Sequence, residues 1–200
     1  MLYTRAGDKG TTKTFGCSQR VSKSSAIAEA LGALDETSSI LGLCRAKAAE
    51  LDTERMSANG ANKKERTQLI IGGETFSEIC LAAQENLFII QAELAGAEGK
   101  TVNEKKVKEV EMIVDTAEKE MPPIKSFFIP GATELGAIFD VARTIARRAE
   151  RRVTAVVEAG DRKIGTRSQA YLNRLSSLLY ALARLSNHKS GITEESPSYK

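Results

Sequence analysis

Tryptophan is absent from this 200-residue chain, histidine occurs once, cysteine three times, and aromatic residues make up only 5% of the total. The lone histidine, His188, lies in a C-terminal stretch expected to fray, so histidine acid–base chemistry is not expected. Cys17, Cys44 and Cys80 are an odd set at wide spacings. They fit neither a CxxC metal site nor a disulfide framework, and reduced, ordinary thiols are expected. No cluster of metal-ligating side chains is visible, so no protein-held metal is expected. No apolar run approaches the roughly 20 residues of a membrane span. No signal or transit peptide is readable, and a cytoplasmic protein with no membrane partner is expected. Charged residues reach 28% but nearly cancel, leaving a net charge of +3. The basic character is therefore local, and no basic patch carries interleaved stacking residues, which speaks against a nucleic-acid partner.

What is present is helical periodicity. The length and a 42% hydrophobic content suit one domain with a real core. Ile27, Leu31, Leu34 and Leu41 recur at helical spacing after a possible N-cap at Ser24 or Ser25. Phe76, Cys80, Ala83, Leu87, Ile90, Leu94 and Ala97 keep a four-three alternation expected of long helices packed nearly parallel. Val107, Val110, Val114, Ala117 and Met121 form a third stripe, closed by Pro122-Pro123. Leu135, Ile138, Ala142, Ile145, Ala149, Val153 and Val156 form a fourth, with Thr133 as its possible cap. Leu172, Leu175, Leu179, Leu182 and Leu185 form a fifth, with Asn173, Ser177, Tyr180 and Arg184 on a neighbouring stripe. The expected fold is all-α, a five-helix bundle of the ferritin-like, four-helix up-and-down type plus one helix, with an irregular N-terminal loop. The expected divisions are a loop over 1–24, a bundle over 25–188 and a flexible tail over 189–200. Asp52 to Gly73, polar and with two glycine turns, reads as a long mobile connection.

Two segments look made for anions. Arg143, Arg147, Arg148, Arg151 and Arg152 fall within ten residues of the fourth helix, with Arg143, Arg147 and Arg151 on one stripe beside Glu150. Like charges four apart oppose helix formation, so the stripe suggests a polyanion such as a phosphate chain, whose oxygens match guanidinium forks. A solvated basic face is the plainer alternative. The segment from Tyr3 to Thr14 adds glycines, hydroxyls and three cations without periodicity, the chemistry of a phosphate-binding loop but without Walker A spacing. Taken alone, a solvated turn is the better explanation of it. Asp35 borders the packed face of the first helix and calls for a cationic partner, for which a helix-four arginine is a candidate; a surface aspartate is the alternative. Phe127-Phe128-Ile129-Pro130-Gly131 forms an apolar approach to the fourth helix, and adjacent phenylalanines before a turn more commonly plug a core.

These pieces resemble the PduO-type ATP:cob(I)alamin adenosyltransferases. The resemblance runs through Tyr-Thr-Arg-x-Gly-Asp-Lys-Gly-Thr-Thr from Tyr3, Arg20-Val21-Ser22-Lys23, Gly32-x-x-Asp35-Glu36 and Gln84-x-x-Leu87-Phe88. It continues through Phe127-x-x-Pro130-Gly131, Ala142-Arg143-Thr144, Arg147 to Arg152, and Tyr171-Leu172-Asn173-Arg174-Leu175-Ser176. The blocks stand in order over nearly the whole chain, and it is the set, not any one block, that is specific.

The resemblance implies transfer of the 5′-deoxyadenosyl group of ATP to the cobalt of cob(I)alamin, giving adenosylcobalamin and triphosphate, with Mg²⁺ carried by the triphosphate. It implies a homotrimer with active sites between subunits, and a reductase and an adenosylcobalamin-dependent enzyme as partners. Position by position, Thr4, Arg5, Ala6, Gly7, Thr12, Lys13 and Lys23 would wrap the triphosphate, and Arg147, Arg148, Glu150 and Arg151 would complete the nucleotide site. Asn173 would hold the ribose or adenine end, Asp35 would pair with Arg143 of a neighbouring subunit, and Phe127 would fill the space under the corrin ring. Arg152 would remain solvated. The chain departs from the family pattern at Ala6, often threonine, at Ser177, usually aspartate, and in a Lys13–Gln19 stretch one residue longer than usual, with Cys17 and Ser18 where Gly-Glu is common. Two other readings are a non-catalytic, ATP-sensing corrinoid-binding or delivery protein, and a structural bundle with an anion-stabilised face.

Overall fold

The computed structural model describes Tyr3 and residues 5–14, 20–58 and 69–199. Among these residues five helices carry the fold: α1 (Ala26–Ala58), α2 (Phe76–Ala95), α3 (Glu104–Glu120), α4 (Glu134–Glu158) and α5 (Thr166–Lys189). Two short antiparallel hairpins accompany them, β1 (Thr11–Lys13) with β2 (Arg20–Ser22), and β3 (Ile70–Ile71) with β4 (Glu74–Thr75). The all-α expectation and the count of five helices hold.

Helix starts follow local chemistry. Ser25 caps α1, its Oγ accepting from the Ala28 amide at 3.3 Å. Thr75 and Glu78 form a reciprocal capping box at the start of α2, and the hydrogen bonds from Thr75 hold the Glu78 carboxyl below its ordinary range. Asn103 caps α3 and Thr133 caps α4. Gly96, left-handed at φ 97°, stops α2 just short of Ala97.

α4 packs between α1 and α5, α2 lies against α1, and α3 covers α5. The buried stripe of α4 includes Gly136 ahead of Phe139, and Ala142, Ala146 and Ala149 between Phe139 and Val153. Small side chains let both neighbours approach closely. Gly136 is the extreme case, since a Cβ there would lie 2.1 Å from Oδ1 of Asn187 on α5. Leucines from α1, α2 and α5 fill the centre, with Leu34, Leu41, Leu87, Leu94, Leu179 and Leu185 fully buried, each contributing about 1.5–3 kcal/mol of transfer free energy.

Several expectations need correction. The α4 stripe turns slightly, so Ala146 is buried and Ile145 is only half-buried. The stretch from Asp52 is not one long connection. α1 continues to Ala58, and after residues 59–68, outside the described set, Ile70–Ile71 pairs back on Glu74–Thr75. Gly72 and Gly73, both at positive φ, supply the turn such a tight hairpin requires. The C-terminal segment lies against the loop before α4. The Ile129 amide donates to the Glu195 carbonyl at 2.8 Å, and Ser126 and Ser196 share a hydrogen bond of 2.8 Å.

Candidate active site

A cleft of about 1030 Å³ opens where the end of α3, the loop before α4, α4, α5 and the C-terminal segment meet. Phe127, Phe128, Arg143, Arg147 and Tyr180 are on its walls. Phe127 is 76% exposed, so it is no core plug. An aromatic ring held out in water at a cleft mouth offers apolar surface to the cleft.

The five arginines separate by flank. On the side toward α1, Arg148 pairs with Glu36, and Arg152 lies 3.9 Å from Glu29, so Arg152 is not simply solvated. All four side chains are about half exposed. On the side toward α5, Arg143 faces Asp140 at 3.4 Å, and its guanidinium lies 5.9 Å from the centre of the Tyr180 ring. Burial raises the Tyr180 phenol above its ordinary range, with the nearby Arg184 opposing the shift, so it is protonated at neutral pH. Arg147 projects into the cleft, and no ion pair is recorded for it among the described residues. Glu150 accepts from Nδ2 of Asn173 at 2.8 Å, which joins these two predicted residues across α4 and α5. Asp35 is exposed and, within the chain, does not pair with Arg143, whose carboxylate partner is Asp140. The helical repeat turns Asp35 outward, while Leu34 and Thr37 point inward.

The N-terminal segment is a separate, self-braced unit. Nε of Arg20 donates to Oγ1 of Thr11 at 2.7 Å, and its terminal nitrogen donates to the carbonyls of Thr11 and Ala6. The Lys23 amide donates to the Gly10 carbonyl at 2.9 Å. Gly7 lets the chain run so close beneath Lys23 that a Cβ would sit 3.1 Å from its ammonium nitrogen. Arg5 and Gly10 both take positive φ, the kind of backbone that turns successive amides toward an anion. Arg5, Ala6, Gly7 and Lys23 are thus brought together, with Thr12 and Lys13 on β1. Thr4 lies outside the described residues, as do Cys17 and Ser18. No described hydrogen bond or ion pair joins this unit to the arginines of α4.

Sequence reasoning missed Asp140, Arg184 and Glu194. Arg184 is 2% exposed and pairs with both carboxylates. The only available signal was placement: Asp140 lies one turn before Arg143 on the same helix, and Arg184 shares the Tyr180 stripe. Cys44 and Cys80 are free and buried, and burial pushes the Cys44 thiol up to about 12 and raises that of Cys80, so neither is a nucleophile. Among the described residues there is no cluster that could hold a metal ion, and no helix long and apolar enough to cross a membrane.

A corrinoid adenosyltransferase PduO of Citrobacter freundii is 36% identical over 194 residues, covering 94% of this chain and 50% of its own length. The chain therefore spans about half of that relative. A corrinoid adenosyltransferase of Bacillus subtilis is 34% identical, covering 96% of this chain and 89% of its own length. In three dimensions, a variant PduO-type ATP:corrinoid adenosyltransferase from Lactobacillus reuteri, complexed with cobalamin and ATP, superposes with a TM-score of 0.79 at 26% identity, covering 99% of each chain. With the cobalamin adenosyltransferase family profile matching residues 2–186, this chain belongs to that family.

Proposed function

We propose that the protein transfers the 5′-deoxyadenosyl group of ATP to the cobalt of cob(I)alamin. The observation that carries this reading is the cleft that sets the exposed Phe127 ring in the same cavity as Arg143 and Arg147. An apolar ring and guanidiniums in one space suit a flat corrin beside a phosphate chain. Cobalt supplies the electron pair for a new Co–C5′ bond, the C5′–O bond breaks, and triphosphate leaves with its negative charge growing. Arginines aimed at that departing charge stabilise the transition state more than bound ATP. Arg147 is available for this task, with Arg151 one turn further along the helix and Arg148 once it leaves Glu36. The Glu150–Asn173 pair would orient the nucleoside, and Phe127 would occupy the lower axial face of cobalt. The protein's contribution is positioning and exclusion of water, since the cofactor-type substrate brings the reactivity.

The glycine segment of Arg5 to Lys23 would close over the triphosphate. We assign it to the arginine site of a neighbouring copy, in a homotrimer where Asp35 meets the neighbour's Arg143; the bracing of Thr11 and Ala6 by Arg20 supports a segment that can present its backbone to such a site. Exposed Leu43 on α1, and Leu81 and Phe88 seven residues apart on α2, provide apolar surface for such an assembly. Mg²⁺ would arrive on ATP. We place the reaction in the cytoplasm, with a reductase supplying cob(I)alamin and an adenosylcobalamin-dependent enzyme receiving the product.

The test mixes purified protein, Mg-ATP and chemically reduced cobalamin without oxygen and follows the visible spectrum. Conversion to adenosylcobalamin with equimolar triphosphate is expected. A spectrum no different from the protein-free control would overturn the assignment, and nucleotide binding without corrinoid-dependent triphosphate release would favour a delivery protein instead.

A further inference from the structure

Four charges meet where α4, α5 and the C-terminal segment converge. Arg184 donates to Oδ2 of Asp140 from one terminal nitrogen and pairs with Glu194 through the other. Oδ1 of Asp140 faces Nε of Arg143 at 3.4 Å, and Glu194 also accepts from Nδ2 of Asn187 at 2.6 Å. The side chains of Arg184, Asp140 and Glu194 are 2%, 5% and 10% exposed, while that of Arg143, at the cleft, is 28% exposed. The guanidinium of Arg184 also lies 5.7 Å from the Phe128 ring centre and 5.1 Å from that of Tyr180. Tyr180 in turn lies under Arg143.

Buried ion pairs add little net stability over an apolar filling of the same shape, but removing one partner is costly. What this group supplies is direction. The two contacts described for Arg143 are Asp140 and the Tyr180 ring, and Arg184 touches both. Glu194 brings the C-terminal segment into the same network, and that segment also holds the Phe127–Phe128 loop through Ile129 and Ser126.

We propose that Asp140, Arg184 and Glu194 form a positioning relay that ties the seating of the C-terminal segment to the orientation of Arg143 on the cleft wall. The relay rests on the reading of this cleft as the corrinoid side of an adenosyltransferase site. Two carboxylates balance two guanidiniums in the seated state. Releasing Glu194 leaves Arg184 with Asp140 alone, draws that carboxylate toward it, and frees Arg143 at the longer contact. None of the three touches the reacting atoms, so each is a positioning residue.

Glu194→Gln and Asp140→Asn test this, singly and combined, each checked for folding by circular dichroism. Carboxypeptidase trimming of the C-terminal segment should quicken several-fold in both single variants, although Asp140 makes no described contact with that segment. In steady-state assays, Glu194→Gln should raise the KM for corrinoid about five-fold or more while the KM for ATP changes less than about two-fold, a split that general loosening would not produce. The double variant should fall short of the product of the single effects, because both act through Arg184. Wild-type trimming rates in Asp140→Asn, an unchanged corrinoid KM in Glu194→Gln, or multiplicative effects would each overturn the relay. If the wild-type protein shows no corrinoid-dependent turnover, the functional assignment fails and the trimming rate of Asp140→Asn alone still decides the relay.

Discussion

The two flanks of α4 carry the same residue type and use it oppositely. Toward α1, Arg148 and Arg152 meet Glu36 and Glu29 in pairs that are about half exposed, where solvent and salt screen the attraction. Toward α5, Arg143 and its neighbours join a network whose centre is almost entirely dry. A guanidinium in the first setting is replaceable at little energetic cost. In the second it is locked, because the partners left behind would be buried charges without a counter-ion. Helical spacing divides one arginine tract between these settings, and Arg147, between them, is left facing the cleft.

The strongest way to break this comparison is Arg147→Ala. If the cleft flank is where function resides, loss of one charge-assisted contact of about 1.5–3 kcal/mol should lower kcat/KM by roughly one to two orders of magnitude. Single-turnover kinetics with varied ATP would measure it, and unchanged rates would show that the cleft arginine is idle. A smaller effect, on stability, is expected from Gly136→Ala on the same flank. The added Cβ would lie 2.1 Å from Oδ1 of Asn187, so either that buried side chain swings away and gives up its hydrogen bonds to Thr133 and Glu194, or α4 and α5 separate. Overpacking of this kind costs about 1–3 kcal/mol, visible as a lower urea midpoint at unchanged slope. A wild-type midpoint would mean that the Asn187 side chain or the helices give way at no cost, contrary to a rigid cleft wall.

The asymmetry also explains what sequence could reveal. The apolar stripes of α2, α3 and α5 were readable because burial imposes a 3.6-residue period on them, and Thr133 was readable as a cap because capping is local. Phe127, the arginine tract and the glycine segment stood out by composition. Their family pattern then supplied roles that no spacing could. The capping box at Thr75 and Glu78 was equally local and legible in principle. The Asp140–Arg184–Glu194 group was not, since its members lie 44 residues apart in one pair and converge only when α4 meets α5. For the same reason the outward direction of Asp35 and the contacts of the C-terminal segment are not legible in the sequence. Both depend on which neighbour a helix face meets, a fact of packing and not of period.

The smallest effect should come from Glu36→Gln on the exposed flank. Glu36 and Arg148 are 51% and 46% exposed, so the pair sits in the screened regime and its loss should change stability by less than about 0.5 kcal/mol. Its value lies in what it frees. Arg148 is assigned to the departing triphosphate and also pairs with Glu36, so the carboxylate competes with ATP for it. Removing that competitor should lower the KM for ATP, by up to about three-fold at low ionic strength if the pair is worth up to roughly 0.6 kcal/mol. Added salt screens the competing carboxylate in the wild-type protein, so the advantage of the variant should shrink as ionic strength rises. A constant ratio across salt, or a raised KM, would mean that Glu36 holds Arg148 in its working position. The α1 flank would then belong to the nucleotide site and the contrast between the two flanks would fail.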